Sequence, residues 1–126
     1  MAVLLTSARD TACNSIVDMI DTGGAGTLEL VVSSSGLVVA SIGFSATAFG
    51  ASSVGVATAN VPIVDTSADV GGTVDAYYMK AGTGETIMSG DVGTAGQDIV
   101  LNTNVITMGD SVTISSLTVT VPAGTP

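Results

Sequence analysis

Histidine and tryptophan are absent from this sequence of 126 residues, and it contains a single cysteine. Histidine is the commonest general base and the commonest ligand of transition metals, so its absence excludes a Ser-His-Asp triad. Cys13 cannot form an intramolecular disulfide, and no cysteine or histidine spacing is suited to zinc. We therefore predict that the protein is not an enzyme and that it holds no metal or cofactor.

Basic side chains are almost missing as well. Arg9 and Lys80 stand against 11 acidic residues, which gives a formal net charge of −9. Binding to a phosphate backbone requires lysine and arginine to displace counterions, and an anionic membrane surface repels such a chain. We therefore expect neither a nucleic acid nor a membrane as partner. A surface of glycine, serine, threonine and alanine suits a protein that neighbours cover, or one on the outside of an assembly.

The first 22 residues predict a helix, and residues 26–126 predict a β domain. Within residues 2–20, apolar side chains recur at steps of three and four, and Gly23 or Gly24 ends the pattern. The predicted apolar stripe consists of Leu5, Ala8, Ala12, Ile16 and Met19 or Ile20. Two interpretations stay open: a helix packed on the β domain, or an arm that docks on a neighbouring subunit.

After Gly26, short apolar segments alternate with turns at intervals of roughly ten residues. This spacing predicts a mainly β fold, an antiparallel β-sandwich or jelly-roll-like domain preceded by one N-terminal α-helix. The predicted strands are residues 27–35, 37–45, 56–65, 73–80, 85–90, 98–102, 104–108 and 111–122. In the third predicted strand, Pro62 suggests an edge position or the start of a strand.

The last predicted strand, "SVTISSLTVTVP", changes phase in its middle. Val112 and Ile114 alternate on one phase, whereas Leu117, Val119 and Val121 alternate on the other. A period-two pattern survives such a change only through a bulge or a bend at residues 115–116. We therefore predict that this strand bends at a corner or crosses from one sheet to another.

The stretch "SGDVGTAGQDIVLNTNVI", residues 89–106, is the strongest candidate for a binding loop. Asp91 and Asp98 flank its glycine-rich part, but the dense carboxylate series of a calcium loop is missing. We interpret both aspartates as braces of a turn and residues 102–104 as a corner between strands. Tyr77 and Tyr78 are adjacent in a predicted strand, so one should be in the core and the other exposed.

Most of the chain resembles a family of small virion-associated proteins of tailed bacteriophages and prophages. The segments that carry the resemblance are the N-terminal helix, "FGASSVGVATAN" and "DTSADVGGTVDAYYMKAGTGETIMSGDVGTAGQDIVLNTNVITMGDSVTISSLTVTVPAG". Family members carry the motif "DGDVGTSGADLNLNTTSIVAG" at the position of residues 89–106. This chain departs from them with Ile99 and Val100 in place of a more polar pair, and with Tyr77-Tyr78 where members often have tryptophan or phenylalanine.

The resemblance implies a structural protein of the virion, made in the host cytoplasm. We expect a capsid decoration or cement protein that binds the major capsid protein or other virion structural proteins, as a homo-oligomer with a trimer as first expectation. The alternatives are a tail or head-fibre component and a carbohydrate-binding or adhesin-like module that uses an exposed tyrosine. The candidate interface residues are Leu4, Leu5, Phe49, Tyr77, Tyr78, Asp91, Asp98, Asn102 and Asn104.

Overall fold

The computed structural model describes residues 3–45, 47–60, 63–96, 99–101, 103–114 and 117–121. The described chain is mainly β with one N-terminal helix, which confirms the predicted class. The helix is α1, Thr6–Ile20. The strands are β1 Thr27–Val32, β2 Leu37–Gly43, β3 Val56–Thr58, β4 Ile63–Asp65, β5 Gly72–Thr73, β6 Ala76–Lys80, β7 Thr86–Gly93, β8 Ile99–Val100, β9 Val105–Ile106, β10 Val112–Ile114 and β11 Thr118–Thr120.

The largest sheet has five strands in the order β2-β1-β6-β7-β8 and curls into half of a barrel. Its first four strands are antiparallel neighbours. By contrast, β8 runs parallel to β7, with Val92 opposite Ile99 and Gly93 opposite Val100. The antiparallel pairing expected for this segment was therefore wrong. Only residues 94–98 lie between the two strands in the sequence, and the parallel pair is two residues long.

Three two-stranded sheets accompany the large one among the described residues: β10-β4, β11-β3 and β5-β9. The predicted strand 56–65 is divided into β3 and β4, and Pro62 lies outside the described residues. The predicted strand 111–122 is divided in the same way, because β10 pairs with β4 whereas β11 pairs with β3. The predicted crossing between sheets is thus confirmed, although residues 115–116 themselves lie outside the described residues.

Helix α1 packs on the β strands through Cys13, Val17 and Ile20, which are buried and belong to the same core as the sheets. The predicted stripe was wrong for Leu5 and Ala8, which are exposed, and right for Ile20, which is buried, and for Ile16, which is partly buried against the core. Alanine gains little from burial, so the larger side chains at positions 13, 17 and 20 determine which face turns inward. Within the described part of the chain, no helix is long and apolar enough to cross a membrane.

Candidate interaction surface

The N-terminal half of α1 is held by polar contacts with a turn at residues 52–55. Asp10 Oδ1 accepts hydrogen bonds from Ser52 Oγ and from the backbone N–H of Gly55, both at 2.7 Å. Asn14 Oδ1 accepts a third from the backbone N–H of Ser52, at 2.8 Å. The bond from Gly55, and then that from Ser52, lower the pKa of Asp10 below its ordinary value of 3.8. Asp10 is therefore a charged brace between helix and turn.

The turn itself adopts an unusual backbone. Ser53 and Val56 exchange backbone hydrogen bonds of 2.9 and 3.0 Å across Val54 and Gly55. Both central residues have positive φ, 52° for Val54 and 76° for Gly55, as a type I′ hairpin turn requires. A β-branched residue rarely adopts this conformation, so Val54 is strained. Its side chain is 58% exposed. Asp10 thus fixes a turn that presents a strained, exposed valine.

Cys13 attaches the middle of the helix to β11. Its side chain is fully buried, and Sγ donates a hydrogen bond to the carbonyl oxygen of Val119 at 3.3 Å. Cys13 thus belongs to the hydrophobic core. Arg9 reinforces the same contact, because its Nε donates to the carbonyl oxygen of Val121 at 2.9 Å. One of the chain's two basic side chains therefore binds its own backbone.

The outer face of the large sheet carries Tyr78 at its centre. Ser41, Glu29, Tyr78 and Ser89 stand opposite one another across β2, β1, β6 and β7. Tyr78 is 37% exposed, whereas Tyr77 points inward and is 2% exposed. The predicted division of the two tyrosines is confirmed. Lys80 Nζ lies 3.0 Å from Glu29 Oε1 on the same face, so the two charges there neutralise each other. The exposed Asp91 of β7, two residues from Ser89, adds a negative charge to this face, which has an aromatic ring at its centre.

Two of the predicted interface residues belong to the core. Tyr77 lies under the sheet, and Phe49 is 4% exposed, with its ring centroid 5.9 Å from that of Phe44. The prediction that Phe49 and Tyr77 contact a partner was wrong in both cases. Aromatic side chains are scarce in this chain, and burying two of them supplies core area that small residues cannot.

In the glycine-rich stretch 89–106, the described polar residues have other roles than the predicted turn brace and corner. Asp91 is exposed and lies within β7, opposite Ala76, so it belongs to a strand and not to the turn. Asp98 and Asn102 lie outside the described residues. Asn104 Nδ2 donates to the carbonyl oxygen of Val74 at 3.0 Å, and Val74 N donates back to the Asn104 carbonyl at 2.9 Å. Asn104 thus joins two loops of its own chain.

Asp75 makes the second strong carboxylate brace. Its Oδ1 accepts from the backbone N–H of Ser33 at 2.8 Å, and its Oδ2 accepts from Ser33 Oγ at 2.6 Å. These bonds lower the pKa of Asp75 below 3.8, the side-chain bond being the larger cause. The contact fixes the loop after β1 to the start of β6.

Three further aspartates accept bonds from backbone N–H groups. Asp21 accepts from Ala48 at 3.0 Å, Asp65 from Ser67 at 3.0 Å, and Asp110 from Thr107 at 2.8 Å. Asp65 thus braces the turn that follows β4. Among the described residues, no group of three histidine, cysteine, aspartate or glutamate side chains is placed to hold a metal ion.

An open groove of about 320 Å³ lies between residues 101–106 and residues 110–113. Leu101, Ile106 and Val112 line it with side chains that are 7%, 5% and 6% exposed. Thr103, Ser111 and Thr113 supply polar groups around them, and Val105 is 59% exposed. The groove therefore combines an apolar lining with neutral polar groups, and Asp110 is the one charged residue among those that line it.

The sequence did not single out the residues that fix these surfaces. Asp10, Asn14 and Asp75 act on partners 38 to 45 positions away, which no local spacing indicates. Asp110 follows Gly109 in a turn, a pattern that could have indicated its bracing role. Comparison with protein-family models, with curated proteins and with solved structures found no match in any of the three.

Proposed function

We propose that this protein is a structural component of a tailed-bacteriophage virion, a capsid decoration or cement protein that binds the outer face of the head shell. Its partner would be the major capsid protein. Area buried across the boundaries between capsomers would resist the pressure of the packaged DNA. The proposal starts from the resemblance of residues 49–124 to phage virion-associated proteins and is supported by how the chain uses its acidic side chains.

The observation that carries the proposal is that aspartate side chains of this protein bind the backbone of its own turns and loops. Asp10, Asp21, Asp65, Asp75 and Asp110 each accept hydrogen bonds from backbone N–H groups of turns or loops. Carboxylates used in this way fix loop geometry rather than gather around a substrate. Fixed loops suit contact with a large protein surface, because little conformational entropy is lost on binding.

We also propose a sandwich-like arrangement, with the large sheet as one layer and the small sheets as the other. In support, a single hydrophobic core contains Leu28 and Leu30 of β1 together with Ala57 of β3, Ile114 of β10 and Val119 of β11. Side chains from two facing layers that share one core are the defining property of a sandwich.

Two surfaces of the described chain are suited to the expected contacts. The first is the outer sheet face around Tyr78, since tyrosine is enriched at protein interfaces. The second is the N-terminal segment Val3–Leu5, whose side chains are 53%, 45% and 75% exposed. We propose that the protein assembles as a homo-oligomer, with a trimer expected first, and that one surface serves the assembly and the other the shell.

Co-sedimentation with head shells tests the proposal. Purified shells of a phage that encodes the chain are mixed with increasing protein, and the bound fraction is measured. We expect saturable binding at a fixed ratio to the major capsid protein, weakened by Tyr78→Ala. Thr86→Ala, a change at an exposed position of β7 in the same sheet, is the matched control. A protein that ignores shells and instead labels purified tails would be a tail or fibre component.

The carbohydrate-binding alternative rests on the exposure of Tyr78. A half-exposed aromatic ring beside Ser89 and the Glu29–Lys80 pair offers a stacking face with polar neighbours. A glycan array tests this alternative directly. Reproducible binding that Tyr78→Ala abolishes and Thr86→Ala preserves would favour an adhesin-like module over a cement protein.

A further inference from the structure

Two of the small sheets border the groove with the edges of their strands. Among the described residues, the lining comes from β9, β10 and the segments beside them, and none of it comes from their pairing partners β5 and β4. Ser111, Val112 and Thr113 all line the groove, as do Val105 and Ile106. Successive side chains of a strand point to opposite faces, so consecutive residues line a recess together only along the edge of the strand. The groove therefore separates the outer edges of two strands.

The pairing of β9 with β5 identifies a backbone group that points into the groove. The N–H of Val74 donates to the Asn104 carbonyl at 2.9 Å, so the backbone of Asn104 faces the side of β5. Backbone groups of successive residues alternate between the two edges of a strand, and the Val105 carbonyl therefore faces the opposite edge. Thr103 Oγ1 accepts a bond from Val105 N at 3.2 Å. The carbonyl of Val105 is thus placed to accept a hydrogen bond from the N–H of an added strand.

A closed turn connects the two edges and fixes their positions. Thr107 N donates to Asp110 Oδ2 at 2.8 Å, and Asp110 N donates to the Thr107 carbonyl at 2.9 Å. Ala68 binds the same turn twice, since its N–H donates to the Asp110 carbonyl at 2.8 Å and its carbonyl accepts from Gly109 N at 2.9 Å. From this turn, β9 pairs outward with β5 and β10 pairs outward with β4. The groove is therefore preformed, and an occupant needs little rearrangement of it.

The lining suits an extended backbone better than a bulky apolar group. Leu101, Ile106 and Val112 are more than nine-tenths buried, so they form a floor that has little apolar surface left to cover. Asp110 is exposed and supplies the one charge among the lining residues. Its carboxylate has acceptor capacity beyond the single bond from Thr107. The groove thus combines a strand-edge acceptor with a negative charge at the turn.

Charge distinguishes a second copy of this chain from a different polypeptide as the occupant. The two basic side chains of the chain are already bound, Arg9 to the Val121 carbonyl and Lys80 to Glu29. A second copy would therefore bring no remaining basic side chain to Asp110, and its net charge of −9 would repel an equally charged copy.

We propose that the groove binds an extended, basic segment of a different polypeptide. The segment adds as a strand between β9 and β10 and places a lysine or arginine beside Asp110. It joins the two-stranded sheets β5-β9 and β10-β4 into one sheet, and main-chain hydrogen bonds supply its affinity. This contact is separate from the surfaces assigned to the head shell, and a free peptide therefore tests it independently of the proposed function.

Amide chemical shifts measured during a peptide titration test the site. The probe is the acetylated and amidated peptide Thr-Val-Lys-Val-Thr, added to the full chain at millimolar concentration. We expect saturable shift changes at Val105, Ser111 and Thr113, and none at Tyr78 on the outer face of the large sheet. The peptide Thr-Val-Glu-Val-Thr should bind more weakly. The lysine peptide with every backbone nitrogen methylated should not bind, because it cannot donate to a strand edge.

Three results of this titration would overturn the proposal. The first is the absence of binding by the lysine peptide, and the second is shift changes confined to other surfaces. The third is equal binding of all three peptides, since neither the charge nor the backbone of the segment would then matter.

Charge variants separate the effect of Asp110 from that of the net charge. Asp110→Asn keeps a side-chain oxygen for Thr107 and should weaken binding of the lysine peptide by up to about fivefold, as expected for an exposed ion pair. Asp18→Asn removes the same charge from an exposed position of α1 and should leave the dissociation constant unchanged. Equal constants for both variants and the wild type would contradict a basic occupant. Concentration-dependent shifts of the same amides without peptide would show that a second copy fills the groove instead.

Discussion

Asp10 Oδ1 accepts a 2.7 Å hydrogen bond from the backbone N–H of Gly55, a residue 45 positions later in the chain. A side chain at position 55 could not be accommodated, because its Cβ would lie 2.7 Å from both Arg9 Nε and the Val121 carbonyl oxygen. The contact therefore brings helix, turn and the end of β11 together at one point. Cys13, Val17 and Ile20 hold the rest of the helix by burial.

Replacement of Asp10 by alanine should loosen the helix from the turn. The N–H of Gly55 and the hydroxyl of Ser52 would lose their acceptor, and we expect a lower melting temperature with partial loss of helix signal in circular dichroism. Asp18→Ala, at an exposed position of the same helix, is the matched control and should melt close to the wild type. Equal melting of Asp10→Ala and Asp18→Ala would show that the contact contributes nothing.

Acid should weaken the fold through Asp10 and Asp75. Both have a pKa lowered in the folded state from 3.8, by the bonds from Gly55 and from Ser33 respectively. Such a carboxylate stabilises the fold above its unfolded pKa, and the contribution is lost as the pH falls through the lower, folded pKa. We expect unfolding free energy, measured by denaturant titration, to fall below about pH 4. The double variant Asp10→Asn, Asp75→Asn should depend less on pH there; an unchanged profile would contradict this assignment.

Relief of strain at Val54 should stabilise the protein. Asparagine adopts positive φ more readily than valine, so Val54→Asn should raise the free energy of unfolding by about 1 kcal/mol. The control is Val64→Asn at another exposed valine, in β4, where asparagine gains nothing and loses strand propensity. Destabilisation by Val54→Asn would mean that the valine side chain makes a favourable contact that outweighs its backbone strain.

Replacement of the two adjacent tyrosines should lower the free energy of unfolding by very different amounts. Tyr77→Ala empties a buried site and should cost about 3–5 kcal/mol of unfolding free energy. Tyr78→Ala removes a half-exposed ring and should cost about 1 kcal/mol or less. Chemical denaturation of the two variants measures both values. Similar losses at the two positions would contradict the inward and outward placement of these rings.

The sequence pattern identified those features of the fold that depend on local periodicity. The phase change between Ile114 and Leu117 indicated a strand that changes sheets, because alternation reports which face is buried. The N-terminal half of the helical stripe was missed, since Leu5 and Ala8 matched the helical period as well as the buried residues did, whereas Ile16 and Ile20 pack on the core as predicted. The parallel pairing of β8 depends on a contact that alternation does not encode.

The candidate site was harder to predict than the fold. The alternation of a strand predicted that one of Tyr77 and Tyr78 is exposed but not which one, and the burial of Phe49 depends on its packing against Phe44. The bonds from Asp10 to Gly55 and from Asp75 to Ser33 join segments more than 40 positions apart. Such contacts are set by the tertiary fold, so neither composition nor spacing could identify them.

The thermal stability of head shells tests the central claim most directly. Calorimetry of shells that lack this protein, before and after its addition, measures whether binding stabilises the particle. A cement protein should raise the melting temperature of the shells up to a saturating ratio, and Tyr78→Ala should shift that ratio or reduce the rise while Thr86→Ala does neither. Shells whose melting temperature is unchanged at every ratio would contradict the proposed function.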